Sequence, residues 1–275
     1  MNAQPGHVYL VGAGPGDPEL LTVKAAGLLR TADFVLHDDL VPSAITALAG
    51  PSTMVLSVGK RCGAKRVTQS QINARMIAFA RAGNSVVRLK GGDPTVFGRL
   101  GEELDALRAA NVSFEVVPGI SSGFAAAALL RVSLTDRRTS SRIVIVSGHR
   151  ANTRAPADET VWEHLKSEET TLIVYMPGPD LRGIAGRMAR AGVVAEMPCV
   201  LVSCVSSPKQ RAVRTNIGNL GALSNTDAPA VLLIGRPLEK PAASQSLDSI
   251  LARCGQAPWM DAPLIRTVHP GSTGA

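Results

Sequence analysis

Chemistry concentrates at three places along this chain. One is Val86-Val87-Arg88-Leu89-Lys90-Gly91-Gly92-Asp93-Pro94-Thr95-Val96-Phe97-Gly98-Arg99. It reads as a buried strand running into a Gly-Gly-Asp-Pro turn, followed by a helix that carries Glu102, Glu103, Leu104, Leu107 and Arg108. Two glycines at the carboxyl end of a strand let backbone approach a ligand closely. In open α/β sheets, ligands gather at that end of the strands. A second place is Val11-Gly12-Ala13-Gly14-Pro15-Gly16-Asp17-Pro18-Glu19-Leu20-Leu21. Its glycines follow a strand and precede a helix, with Asp17 placed as N-cap and Pro18 at the first helical position. The third is Val58-Gly59-Lys60-Arg61, again at a strand end, where Lys60 can donate a proton or contact an anion. Asp38 closes the strand before it and is either a general base or a turn residue with Asp39.

The elements that must position these residues alternate along the chain. Val8–Val11, Phe34–Leu36, Met54–Val58, Val86–Leu89 and Phe114–Val117 are predicted as short buried strands. Leu20–Leu29, Ile72–Ala80 and Leu100–Ala109 carry apolar residues at helical spacing between them. This alternation predicts a mainly parallel sheet covered on both faces. After a polar, basic link from Arg131 to Arg142, a second α/β set follows at Ile143–Val146, Leu172–Tyr175, Cys199–Val202 and Ala230–Ile234. The predicted organisation is an N-terminal α/β domain over 1–138 and a C-terminal α/β domain over 139–240. A partly disordered tail over 241–275 completes it. Within that tail, Leu247, Ile250 and Leu251 could dock as a helical turn, and Ala151–Glu159 reads as an exposed loop.

Composition narrows the function classes. With 275 residues the chain can bury a sizeable core. Aromatics make up only 3%, which argues against a base-stacking nucleic-acid platform. The formal charge of +7 comes from scattered residues and fits either a solvated surface or an anionic substrate. Cys62, Cys199, Cys204 and Cys254 form no Cys-x-x-Cys pair and lie near no histidine in a zinc pattern, so no metal is predicted. They read as reduced thiols of a cytoplasmic protein. The start of the chain has no signal-peptide pattern, and no apolar run is long enough to cross a bilayer.

The first glycine turn is similar to a dinucleotide-binding fingerprint, with Asp38 at the end of the next strand. The third glycine is missing, and Pro15 stiffens the loop where a pyrophosphate needs free N–H groups. Such a loop can still carry an adenosyl group, which brings no phosphate. An NAD-binding oxidoreductase therefore stays open on spacing alone.

Taken in order, the turn from Gly12 to Pro18, Asp38, Gly59-Lys60-Arg61, the run from Arg88 to Pro94, Phe97-Gly98-Arg99 and Val117-Pro118-Gly119-Ile120-Ser121-Ser122 resemble the tetrapyrrole methylase family. The resemblance covers about residues 7–236. Within the family, the Gly-Lys-Arg and Leu-Lys-Gly-Gly-Asp-Pro elements point to the enzymes that act on uroporphyrinogen III. The resemblance implies two α/β domains with a cofactor cleft between them, and usually a homodimer. It implies S-adenosylmethionine-dependent methylation of two ring carbons, giving precorrin-2 and S-adenosylhomocysteine. A methylase of a later precorrin in cobalamin synthesis is the alternative within the family. The product could serve sirohaem, cobalamin or haem d1.

By match to the family's motifs, Pro15, Gly91, Gly92, Asp93, Val96, Ser121, Ser122, Met176, Val205 and Ala230 would contact the cofactor. Asp38 and Lys60 would move protons. Arg99, Glu102 and Arg137 would face a substrate with eight carboxylates, which arginine forks suit. The chain departs from the family's usual sequence in three stretches. His37-Asp38-Asp39-Leu40-Val41 replaces Tyr-Asp-Arg-Leu-Val, and Thr135-Asp136-Arg137-Arg138-Thr139 replaces Thr-His-Arg-Asp-Tyr. Ser203-Cys204-Val205-Ser206 stands in place of Glu-x-Gly-Thr.

Overall fold

A computed structural model of the chain describes residues 2–59, 67–148, 160–167, 169–223 and 228–239. The strands β1 (His7–Gly12), β2 (Phe34–His37), β3 (Met54–Ser57), β4 (Val86–Lys90) and β5 (Ser113–Val117) form one sheet in the order β3-β2-β4-β1-β5. Every pairing in it is parallel. Parallel strands need both faces covered, which is why β1 and β4 are buried almost throughout, with Val8, Leu10 and Val11 beside Val86, Val87 and Leu89. Helix α1 (Val23–Thr31) packs Ala25, Leu28 and Leu29 on Tyr9, Val11, Val35, Val87 and Leu89. The short α2 (Ser43–Thr46) adds Ile45 to that layer. On the other face, α3 (Gln69–Arg81) and α4 (Leu100–Ala109) bring Ile72, Met76 and Leu107 onto Val8, Leu10, Leu36 and Val86.

The predicted helix over Leu20–Leu29 divides in two. Asp17 caps a single 3-10 turn, Pro18–Leu20, by accepting from the Glu19 N–H. Leu21 is extended, and Thr22 then caps α1 by accepting from the Ala25 N–H at 3.1 Å. Two capping residues five apart make two short elements where apolar periodicity alone suggested one.

The second set is β6 (Arg142–Ser147), β7 (Thr170–Tyr175), β8 (Pro198–Ser203), β9 (Arg211–Asn216) and β10 (Ala230–Ile234), in the order β6-β7-β10-β8-β9. Only β6 and β7 run parallel; the other pairings are antiparallel. The strand β9 has no counterpart in the sequence-based expectation. It is a half-exposed edge strand, Arg-Ala-Val-Arg-Thr-Asn, whose polar residues mask its alternation. One face of this sheet is covered by α6 (Thr160–Glu163), α7 (Leu181–Arg190) and α8 (Ile217–Leu220), with Ile184, Met188 and Leu220 in the layer. The other face is covered by α5 (Ser122–Leu129), whose alanines and the following Leu130 pack on Ile173, Tyr175, Val200, Val231 and Leu233. Thus the helix that leaves the end of the first sheet is built into the core of the second.

Candidate active site at the carboxyl edge of the first sheet

The connections from the neighbouring strands β1 and β4 leave in opposite directions, toward β2 and β5. Such a switch point opens a crevice beyond the strand ends. Here the glycine turns meet. Gly92 donates its N–H to the Gly14 carbonyl at 2.7 Å, and Gly14 returns its own to Gly92 at 3.2 Å. The Ala13 N–H goes to the Lys90 carbonyl at 2.8 Å. The loop after β5 locks onto the same point, with the Gly119 N–H on Asp93 Oδ2 at 3.0 Å. Asp93 Oδ1 accepts from the Thr95 N–H at 2.7 Å and from its hydroxyl.

These glycines are needed for different reasons. A Cβ on Gly12 would lie 2.6 Å from Gly119 Cα, and one on Gly119 would lie 2.4 Å from the Gly92 carbonyl oxygen. Gly12 and Gly119 are therefore fixed by lack of space. Gly92 has room, its nearest neighbour being Ser121 Cα at 3.9 Å, but its φ of +69° is left-handed. It is fixed by conformation, and the room beside it stays open for a ligand.

The pairing also tests the kind of ligand that fits. The N–H groups of Ala13, Gly14 and Gly92, which a pyrophosphate would require, are spent on one another's loops. Pro15 has none to offer. What remains is a close backbone cradle without a phosphate nest, the fit expected for an adenosyl group joined to an amino acid.

The second half of the chain closes on this edge. A Cβ on Gly16 would lie 3.3 Å from the Ser206 carbonyl oxygen and 3.5 Å from that of Val205. Val205 is buried, and Val96 packs against the same cluster. Ala230 begins β10 opposite Ser203. Met176 follows β7 and is half exposed. Ser121 is buried with its hydroxyl 2.7 Å from the Tyr175 hydroxyl, and Ser122 opens α5.

Left-handed backbone at non-glycine residues gathers in the same loops. Asn111 and Arg131 follow the C-caps of α4 and α5, where that conformation is ordinary. Phe97, Arg99, Met176, Cys204 and Ser206 have no such explanation, and all five lie in loops that follow β4, β7 or β8. Each costs on the order of 1–3 kcal/mol, and such strain collects where a side chain must be presented at one place.

Asp38 does not stand alone. It pairs with Arg88, which also reaches Glu103 Oε1 through Nε at 3.0 Å and the Leu36 and Leu89 carbonyls at 3.3 Å. Lys90 Nζ takes Glu103 Oε2 at 2.7 Å, and Gln69 donates to Oε1 at 3.1 Å. Glu103 is fully buried, with Arg88 and Lys90 nearly so. Burial, and next the Arg88 charge, push the Lys90 ammonium below its ordinary value, while Glu103 acts in the opposite direction.

The other expected substrate residues sit further out. Arg99 and Glu102 form a two-pronged pair with both contacts at 2.7 Å, and each side chain is more than half exposed. The hydrogen bond between them raises the Arg99 value and lowers that of Glu102. Arg137 is exposed on the link, where the ion pair joins its neighbours Asp136 and Arg138 at 2.6 Å. Lys60 lies outside the described residues.

Sequence reasoning missed two parts of this arrangement. The network of Arg88, Lys90 and Glu103 had a signal: two cations two residues apart on one face of an otherwise aliphatic central strand require buried carboxylates. Tyr175, the strand residue that reaches Ser121, had none beyond its place before Met176. Among the described residues there is no cluster of metal-ligating side chains, and no helix is long and apolar enough to cross a membrane.

Comparison with known proteins agrees with this geometry. Residues 7–221 match the model of the Tetrapyrrole (Corrin/Porphyrin) Methylases, and the chain belongs to that family. A uroporphyrinogen-III C-methyltransferase of Paracoccus denitrificans is 40% identical over 229 residues, which is 83% of this chain and 79% of that protein. A siroheme synthase of Neisseria meningitidis is also 40% identical, over 85% of this chain, which spans about half (48%) of its length. The crystal structure of a uroporphyrin-III C-methyltransferase from Thermus thermophilus complexed with S-adenyl homocysteine superposes with a TM-score of 0.71. It is 38% identical, covering 84% of this chain and 97% of that one.

Proposed function

We propose that this chain is an S-adenosylmethionine-dependent C-methyltransferase that converts uroporphyrinogen III to precorrin-2 by two ring-carbon methylations. The observation that carries this reading is the glycine cradle at the β1–β4 switch point, with the N–H groups of Ala13, Gly14 and Gly92 already paired, in a chain 40% identical to a uroporphyrinogen-III C-methyltransferase. When bound, S-adenosylmethionine supplies a methyl group on a sulfonium centre, already activated for displacement.

The work left to the protein is holding, excluding water and moving protons. The backbone of Gly91, Gly92, Val205 and Ala230, with Pro15, Ser121 and Ser122, forms the cofactor cradle, and Val96 and Met176 give it apolar walls. Asp93 holds the cradle from behind through Thr95 and Gly119. Arg99 and Arg137 grip substrate carboxylates through planar forks. Glu102 keeps the Arg99 fork aligned until a substrate carboxylate takes its place. A ring carbon that has gained a methyl group leaves the ring cationic, and Asp38 accepts the proton whose loss restores neutrality. Lys60 assists that proton transfer.

We further assign residues 1–138 and 139–240 as the two domains, with α5 the part of the first that docks into the second. The working form is a homodimer in the cytoplasm, testable by light scattering and fractionation.

The deciding experiment incubates the protein with uroporphyrinogen III and S-adenosylmethionine and weighs the product. A gain of two methyl groups is expected. No gain there, with transfer to a later precorrin, overturns the substrate and leaves the class standing. Asp38→Asn should keep S-adenosylhomocysteine binding while turnover falls about a hundredfold, the common scale for loss of a general base. Retained turnover would return Asp38 to the role of an ion-pair partner for Arg88.

A further inference from the structure

Tyr175 is the last residue of β7, yet its hydroxyl lies in the first turn of α5. It accepts the Gly123 N–H at 3.0 Å and lies 2.7 Å from Ser121 Oγ. Ser121 is the N-cap residue of α5 but makes no side-chain cap bond of its own. The tyrosine oxygen therefore does part of the capping that a serine usually does. On its ring side, Tyr175 packs against Phe97, with centroids 5.3 Å apart. Phe97 is one of the left-handed residues of the loop after β4. One side chain of the second sheet thus touches both the loop that carries Gly92 and the turn that carries Ser121.

Two buried hydroxyl hydrogens share one contact at this cluster, and either oxygen could donate across it, so the direction decides which hydrogen is left over. The Tyr175 oxygen already receives the Gly123 N–H, which lies at the positive end of α5. Its own proton needs an acceptor, and Ser121 Oγ at 2.7 Å can be that acceptor. Were Ser121 to donate instead, the tyrosine proton would be buried without a partner. With Tyr175 donating, the hydrogen left over is that of Ser121, which a ligand in the cradle can accept, and each bond in such a chain strengthens the next.

We infer that Tyr175 is a positioning residue for the cofactor. Its hydroxyl turns Ser121 into a donor aimed at an acceptor atom of the adenosyl ligand. The inference rests on the reading above that Ser121 belongs to the cofactor cradle.

A double-mutant cycle on S-adenosylhomocysteine affinity, measured by calorimetry, tests it. Tyr175→Phe keeps the ring and its contact with Phe97 and removes only the hydroxyl. It should raise Kd about fivefold, the scale of one net hydrogen bond. Ser121→Ala should raise Kd by a similar factor. The double variant should be no weaker than about twofold beyond the worse single, because both changes break one chain of bonds. The KM for S-adenosylmethionine should rise with Kd by more than kcat falls, a split that a merely structural role would not produce.

Wild-type affinity in folded Tyr175→Phe, or fully additive losses, would overturn the inference while leaving the cofactor assignment intact. Wild-type affinity in Ser121→Ala overturns it whatever Tyr175→Phe does. A wild-type protein that binds no S-adenosylhomocysteine would overturn the cofactor reading, and this inference with it.

Discussion

The buried polar side chains of the first half of the chain include Arg88, Lys90 and Glu103, beside Ser85 and Ser121. Those of the second half are hydroxyls: Ser140, Thr170, Thr171 and Ser203. The loops differ in the same way. The first half builds its edge from Gly12, Gly14, Gly92 and Gly119, where backbone crosses backbone. The second half uses Met176, Cys204 and Ser206 in the left-handed conformation that glycine would adopt without cost, as the first half does at Phe97 and Arg99. One half has given up side chains to bring peptides close and has kept charge beneath them. The other has, among the described residues, a neutral interior. Buried charge belongs to the first sheet, and neutral hydroxyls to the second.

The largest test of this contrast lies in the interior. Glu103→Ala leaves Arg88 and Lys90 buried with only Asp38 opposite them, and should cost about 3–5 kcal/mol in urea denaturation. The corresponding change in the second half, Thr171→Val, breaks the 3.0 Å contact with Ser140 and should cost about 1 kcal/mol. Equal losses would erase the distinction between a charged and a neutral interior.

The loops come next. Gly92→Val forces a branched side chain into left-handed backbone and into the open space beside it. It should raise the Kd for S-adenosylhomocysteine at least tenfold, about 1.4 kcal/mol. Met176→Gly does the reverse. It relieves the backbone, so thermal stability should hold within about 1 kcal/mol, while cofactor affinity weakens through loss of the thioether. Loss of stability without loss of affinity would mean that Met176 serves the fold.

The smallest effect concerns the neutral interior itself. Burial pushes the Cys199 thiol up to about 12, so it stays protonated in native protein. Alkylation at pH 8, mapped by peptide mass, should leave Cys199 unmodified until denaturant is added. Labelling in the native state would show that this layer opens to water.

Much of the first half was legible because parallel strands buried on both faces appear as runs dominated by aliphatic residues, as Val86, Val87 and Leu89 are around Arg88. The glycine turns were legible for a related reason: only a few residue types tolerate the backbone they need. The second sheet was harder to read. Its edge strand Arg211–Asn216 is half solvated, and antiparallel pairing leaves no βαβ rhythm to follow. At the site, Asp38 and Gly92 could be named from their positions beside strand ends. The partners Glu103 and Tyr175 could not, because each reaches its target across space from another element, 13 residues beyond Lys90 in one case and 54 beyond Ser121 in the other.

The placement of α5 has a consequence for how the molecule can be divided. Its residues follow β5 in the chain, but its alanines complete the core beneath β7, β8 and β10. A break on the carboxyl side of α5 strips the second sheet of its cover. A break on the amino side severs the strand-to-helix turn that holds Gly119 against Asp93. No single cut yields two finished pieces. Halves made separately should recover only by reassembling with each other, so this protein is poorly suited to being shuffled as interchangeable modules.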